Sequence, residues 1–122
     1  MIEADEYDCA FFDKRPKFMH YWPSALLINS TEFDHADLYS DEQDVLKQYG
    51  YLLRLLPRGA PVICHALPGS LLDQIQAFGL KQIQYGLKKH KTCQVSLEEV
   101  GAFELSLRGE HNQKNALATY IT

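Results

Sequence analysis

Three kinds of hydrophobic spacing follow one another along this chain. Val45, Leu46, Tyr49, Leu52, Leu53 and Leu56 fall at i, i+1, i+4, i+7, i+8 and i+11, which draws one stripe down a helix. Ser40 with Gln43 three residues on has the form of a capping box, and Asp41 and Glu42 suit the positive end of the helix dipole. Pro57 and Gly59 end the element, so the spacing predicts a helix over 40–56. A second helix is predicted over Gly69–Phe78, where Ser70 can cap, Leu71, Leu72, Ile75 and Phe78 share a face, and Gly79 is the stop. Two short apolar runs without alternation, Ala25–Asn29 and Pro61–His65, read as buried strands of a parallel sheet, and residues 1–4 as a further short strand. Lys81–Tyr85, Thr92–Leu97 and Ala102–Leu107 alternate polar and apolar residues with period two, which predicts half-exposed antiparallel strands.

A helical pattern returns in Gly109–Thr122, with a predicted start near Asn112. Cys9–Pro23 has no clean period and is interrupted by Pro16 and Pro23; it reads as a long loop or insertion with room for one helical turn. The order is β–α–β–α, a short β meander, then α. That gives an α/β fold, a mostly parallel sheet flanked by helices with a few additional antiparallel strands.

Composition changes this picture little. The 122 residues, 46% hydrophobic and 23% charged, suit one soluble domain with a core of its own. A net charge of -4 argues against a nucleic-acid partner. Cys9, Cys64 and Cys93 are odd in number and show no CxxC spacing, which argues against a disulfide framework or a zinc site and fits a reducing cytoplasm. No apolar run approaches the roughly 20 residues that span a bilayer. The chain opens inside an apparent strand and closes inside an apparent helix, so it is expected to be a piece of a longer protein.

The candidate chemistry lies at strand exits. Leu26–Ile28 runs into Asn29, and Glu32, Asp34, His35 and Asp37 follow; Met1–Asp8 likewise delivers Glu3, Asp5, Glu6 and Asp8. In open α/β sheets ligands sit beyond the carboxyl ends of strands. Converging carboxylates there suit a hard divalent cation, while the plainer reading is an acidic surface loop. In Gly109–Asn115 (GEHNQKN), Asn112 and Asn115 share one side of the first helical turn, and a carboxamide offers the donor and acceptor that an adenine edge requires. From spacing alone a plain N-cap is the favoured reading. Asp13–Lys17 (DKRPK) is an exposed basic loop that could meet an anionic substrate, and Lys88–Lys91 (KKHK) reads as a solvated turn. His20, Tyr21 and Trp22 read as packing residues. The chain contains no GxxxxGK[ST], GxGxxG or HExxH sequence.

Taken in order, EADEYD, then N-x-x-x-F-D-H-A-D, then G-E-H-N-x-x-N resemble the central, ATP-binding domain of the Mur ligase family. The family comprises ATP-dependent amide-forming enzymes of bacterial peptidoglycan synthesis. The likeness covers nearly all of 1–66 and again 103–118. CAFFDKRPKFMHYWP and KQYGYLLRLLP point to the recycling branch that takes a whole murein tripeptide, with the L-alanine-adding branch as the alternative. A module that keeps the motifs without catalysis is a third reading.

The resemblance implies Mg2+ ligands at Glu3 and His35. It places Asn29 beside the phosphate and metal region, Asn115 at adenine, and His111 and Asn112 around that pocket. Arg15 and Lys17 are expected on the substrate side from their position alone. Implied substrates of the parent are ATP, UDP-N-acetylmuramate and the tripeptide L-alanyl-γ-D-glutamyl-meso-diaminopimelate. Some members carry a carbamylated lysine at a position falling near Gly50, one turn from Lys47; that role is not carried over. The family's Gly-Lys-Thr phosphate loop is expected upstream of Glu3, and 1–122 is therefore expected to be a partial central domain, inactive by itself.

Overall fold

The structure, a computed structural model, describes residues 2, 8–10, 13–31, 41–101 and 109–122. Four strands build the main sheet: β3 (Leu26–Ile28), β4 (Pro61–Cys64), β5 (Lys81–Gly86) and β6 (Val95–Ser96), hydrogen-bonded in that order. All three pairings are parallel. A separate antiparallel pair joins β1 (Asp8–Ala10) to β2 (Asp13–Pro16), followed by a 3-10 helix at Lys17–His20. Four α-helices complete the described residues: α1 (Glu42–Leu55), α2 (Gly69–Ala77), α3 (Leu97–Val100) and α4 (Glu110–Ile121).

The parallel α/β core is therefore as the apolar runs imply, but the antiparallel strands stand elsewhere. Lys81–Tyr85 pairs parallel to β4, and only Val95–Ser96 of the expected strand over 92–97 is extended, parallel to β5. Alternation marks a strand with one drier face; it carries no information on direction. Leu97 instead opens the short α3. The antiparallel pair, from Asp8 to Pro16, lies almost wholly in the 9–23 stretch read as loop, whose one helical turn is the 3-10 helix. The strand expected at 1–4 and the one at Ala102–Leu107 lie outside the described residues, apart from Ile2.

β3 and β4 are apolar on both faces, alternate residues serving opposite ones, while β5 alternates Ile83 and Tyr85 with Gln82 and Gln84. Ile28 and Val62 join Val45, Leu46, Tyr49, Leu52, Leu53 and Leu56 of the α1 stripe and Leu71 and Ile75 of α2 in one core. Ile63 and Tyr85, with Leu27 and Ile83 beside them, pack on Leu117 and Ala118 of α4 in a second. Leu27, Ile63 and Ile83 are in register across three strands, so one row of side chains carries the α4 face. The segment before β3 is also part of the first core: Phe18 is buried and stacks on Tyr49 at a centroid distance of 6.3 Å. Tyr21 is partly buried against the same cluster. Trp22, in contrast, is 92% exposed, against its expected packing role. It stands just before Pro23, in a stretch without regular structure, where no helix or sheet face turns the ring inward.

The helix ends depart from expectation in detail. Asp41 is the N-cap of α1, its carboxylate accepting from the Asp44 backbone N–H at 3.0 Å; Ser40 lies outside the described residues. Pro68, not Ser70, precedes α2, without a side-chain cap. The α2 C-terminus closes at Gly79, whose φ of +65° is a conformation glycine adopts freely. Helix α4 begins at Glu110, two residues before Asn112, because Gly109 turns the chain with a φ of +110°.

Leu53 is fully buried, and Leu53→Ala is expected to cost about 2–5 kcal/mol in chemical denaturation. Trp22→Ala, at a site open to solvent, is expected to change stability by less than about 0.5 kcal/mol. Asp41→Ala removes the α1 cap and is expected to cost about 1 kcal/mol in the same measurement.

Candidate functional site

Parallel strands deliver their last residues to one edge, and here three of those ends are polar. β3 runs out into Asn29 and Ser30, β4 into His65, and β5 carries Tyr85 in its penultimate position. The exit of β3 is held from both sides of the sheet. From α1, the Tyr49 hydroxyl donates to the Ser30 carbonyl at 3.3 Å. From β5, the Tyr85 hydroxyl donates to Asn29 Oδ1 at 2.8 Å. Asn29 Nδ2 then donates to Asn115 Oδ1 at 2.6 Å, which ties the strand exit to the second turn of α4, 86 residues away in sequence. α4 is brought there by the packing of Leu117 and Ala118 on the sheet.

Tyr85 is 1% exposed. Burial, with a smaller contribution from the neighbouring Cys64, pushes its phenol up to about 12, so the hydroxyl keeps its proton throughout the neutral range. Cys64 is itself pushed up by burial, opposed by the Gln82 side-chain amide. The His65 ring lies against Tyr85, centroids 5.6 Å apart, and its Nδ1 meets the Tyr85 carbonyl at 3.0 Å. A carbonyl only accepts, so Nδ1 carries the hydrogen, and in the neutral ring Nε2 is left as an acceptor. Gln84 Nε2 donates to the His65 carbonyl at 3.1 Å, which fixes the backbone of that exit.

Of the residues singled out in the sequence, Asn29 and Asn115 are brought into contact. The resemblance assigned them to different parts of a nucleotide, phosphate for one and base for the other; the structure joins them in one hydrogen bond. Asn112 and His111 lie one turn nearer the start of α4, His111 exposed and Asn112 half-buried. Glu3 and His35 lie outside the described residues, so the two expected metal ligands have no described geometry. Among the described residues no group of three or more His, Cys, Asp or Glu side chains could hold a metal ion. Lys17 is exposed on the 3-10 helix, and no described contact places it at the β3–β5 edge; Arg15 lies in β2. The Lys88–Lys91 turn is exposed, with Lys89 paired to Glu99 at 2.6 Å.

Two members of the polar edge, Tyr85 and His65, were not among the sequence candidates. His65 ends its strand as Asn29 ends its own, and that shared position was the available signal. Tyr85 sits at an apolar beat of an alternating strand and reads as core, which its ring is.

Away from this edge, a concavity of about 310 Å3 lies between α1 and α2 and is lined by Lys47, Gly50, Tyr51, Arg54 and Gln74. A Cβ at Gly50 would stand 2.7 Å from Gln74 Oε1, so this position has no room for a long side chain unless Gln74 moves. Lys47 is paired with Asp44 at 2.7 Å.

A parallel four-stranded sheet with helices on both faces defines an α/β domain. No family model matches the chain. Single proteins do. Over 96% of its length it is 42% identical to an Escherichia coli (strain K12) protein, UDP-N-acetylmuramate–L-alanyl-gamma-D-glutamyl-meso-2,6-diaminoheptandioate ligase. It is 28% identical over its whole length to a UDP-N-acetylmuramate–L-alanine ligase of Chlorobium phaeovibrioides. The crystal structure of a UDP-N-acetylmuramate:L-alanyl-gamma-D-glutamyl-meso-diaminopimelate ligase from Neisseria meningitides superposes with a TM-score of 0.72 at 32% identity. That match covers 98% of this chain and 41% of the other. The chain belongs to the Mur ligase family. It spans 28% of the length of each of the two sequence relatives.

The raised phenol gives a measurable signature. A group whose folded pKa lies above its ordinary value of 10 stabilises the fold fully below pH 10. That contribution is expected to fall away as pH rises from 10 to about 12. Absorbance titration is expected to show a tyrosinate transition near pH 12 that Tyr85→Phe removes.

Proposed function

We propose that this chain is a segment of the nucleotide-facing central domain of an ATP-dependent ligase. The parent enzyme joins L-alanyl-γ-D-glutamyl-meso-diaminopimelate to UDP-N-acetylmuramate in peptidoglycan recycling. The observation that carries the reading is the meeting of Asn29 and Asn115 at the carboxyl edge of the sheet, where open α/β sheets bind ligands. The greater identity to the tripeptide ligase of Escherichia coli, 42% against 28% for the L-alanine ligase, favours the tripeptide as acceptor.

The chemistry of this reading has two steps. A muramoyl carboxylate oxygen attacks the γ-phosphorus of ATP, ADP leaves, and an acyl phosphate forms. The amino group of the tripeptide's L-alanine then attacks the acyl carbon, a C–N bond replaces the C–O bond, phosphate leaves, and the amine gives up a proton. Catalysis of such transfers rests on positioning and electrostatics. The described residues fit the nucleotide in one respect: Asn115 holds a carboxamide at the edge, oriented by Asn29, and such a group can pair with an adenine edge. Magnesium bound at Glu3 and His35 would offset charge on the phosphoryl oxygens; both residues lie outside those described, and that assignment belongs to the proposal. Arg15 and Lys17 are proposed for the anionic substrate side on position alone, and a cytoplasmic location follows from the nucleotide-linked substrate.

The test is a chimera in which this chain replaces its matching segment in the Escherichia coli relative. The chimera is expected to consume ATP with UDP-N-acetylmuramate and the tripeptide, while the 122-residue chain alone turns nothing over. Asn115→Ala in the chimera is expected to raise the KM for ATP about tenfold, the order of one lost hydrogen bond to a base. Preference for L-alanine over the tripeptide would move the chain to the L-alanine-adding branch. A folded but inactive chimera would favour a non-catalytic module.

A further inference from the structure

The two carboxamides at the edge could each point either way round, and the choice decides what they show a ligand. An asparagine side chain has an accepting oxygen at one end and a donating NH2 at the other. Turned one way, Asn115 offers its NH2 outward; turned the other, its oxygen. Neither asparagine settles this alone, because the Asn29–Asn115 bond survives if both amides rotate together.

Tyr85 breaks that symmetry. Among the described residues its hydroxyl has one hydrogen-bond partner, Asn29 Oδ1 at 2.8 Å, and it is closed off from solvent. A phenol has a single proton, and a buried donor without an acceptor loses the bond it would keep in water. Rotating Asn29 would present its NH2 to the phenol oxygen and leave that proton with no acceptor. With Asn29 Oδ1 held toward Tyr85, Asn29 Nδ2 faces Asn115, and Asn115 must answer with Oδ1, as the 2.6 Å contact records. The NH2 of Asn115 is then the group left to face a ligand.

We propose that Tyr85 is a positioning residue of the nucleotide site: through Asn29 it fixes the direction of the Asn115 carboxamide, so that Asn115 presents an NH2 donor to an acceptor nitrogen of a purine ring. The proposal rests on the nucleotide reading above. The adenine N7 is such an acceptor, and the second lone pair of Asn115 Oδ1 remains for the adjacent amino group. Because the phenol holds its proton up to about pH 12, the orientation is constant across the neutral range. Tyr85 touches no ligand in this account; it acts two hydrogen bonds away.

The direction is directly observable in the 122-residue chain labelled with 13C and 15N. Scalar coupling across the hydrogen bond is expected from Asn29 Nδ2 to Asn115 Cγ, and none from Asn115 Nδ2 to Asn29 Cγ. The reverse pattern in the unmodified chain overturns the proposal whatever any variant does. In Tyr85→Phe the coupling is expected to weaken or appear in both directions, while the backbone spectrum keeps its dispersion; unchanged one-way coupling overturns the role of Tyr85.

The ligand side uses the chimera described above with ATP and 7-deaza-ATP, in which a C–H replaces N7, followed by the KM and by the Asn115 side-chain NH2 signals. ATP is expected to bind about tenfold tighter than the analogue, and Tyr85→Phe to bring the two toward equality. Equal affinities in the chimera without further substitution overturn the purine-nitrogen part. Absence of any response of Asn115 to ATP overturns the nucleotide reading and with it the role for a base. The coupling pattern still decides, separately, whether Tyr85 sets the amide direction.

Discussion

A parallel sheet has two faces to cover, and β3 and β4 of this one are apolar on both. That requirement organises what else is seen. Ile28 and Val62 call for α1 and α2 on one side, and Leu27, Ile63 and Ile83 call for α4 on the other. Once helices lie on both faces, the carboxyl ends of β3, β4 and β5 open onto a common edge that each layer can reach. Tyr49 reaches it from the α1 side, and Tyr85 leans into the α4 side. The polar edge is thus a product of the two cores: each tyrosine buries its ring in one of them and spends its hydroxyl on the exit of β3.

The same arrangement explains why residues far apart in sequence act together. Asn29 and Asn115 are separated by α1, β4, α2, β5, β6 and α3, yet they share a hydrogen bond because α4 packs on the sheet through Leu117 and Ala118. The segment before β3 supports the edge indirectly: Phe18 stacks on Tyr49, and Tyr49 holds Ser30. A stretch that reads as an insertion toward substrate is therefore also part of the structural core.

Much of this was legible in the sequence where a pattern had one physical cause. The α1 stripe was legible since six apolar residues at helical spacing leave no other face to bury, and all six are buried. The apolar runs at 26–28 and 61–64 gave the parallel core for the same reason. Strand direction at β5 and β6 was not legible, because KQIQY alternates identically in either direction. Trp22 misled, since an aromatic side chain beside a strand usually packs and this one does not. At the site, Asn29 and Asn115 were found from motif resemblance, but the bond between them was not, nor was Tyr85. A phenol whose partner lies 56 residues away leaves no local trace. Glu3 and His35 fall outside the described residues, so the metal half of the expected site stands on resemblance alone.

The central claim is that the exit of β3 and the second turn of α4 form one unit through the Asn29–Asn115 hydrogen bond. A double-mutant cycle with Asn29→Ala, Asn115→Ala and the pair, measured by equilibrium unfolding, tests it most directly. The account predicts a coupling free energy of about 1 kcal/mol between the two positions. Strictly additive effects, with no coupling beyond the experimental error, would contradict it.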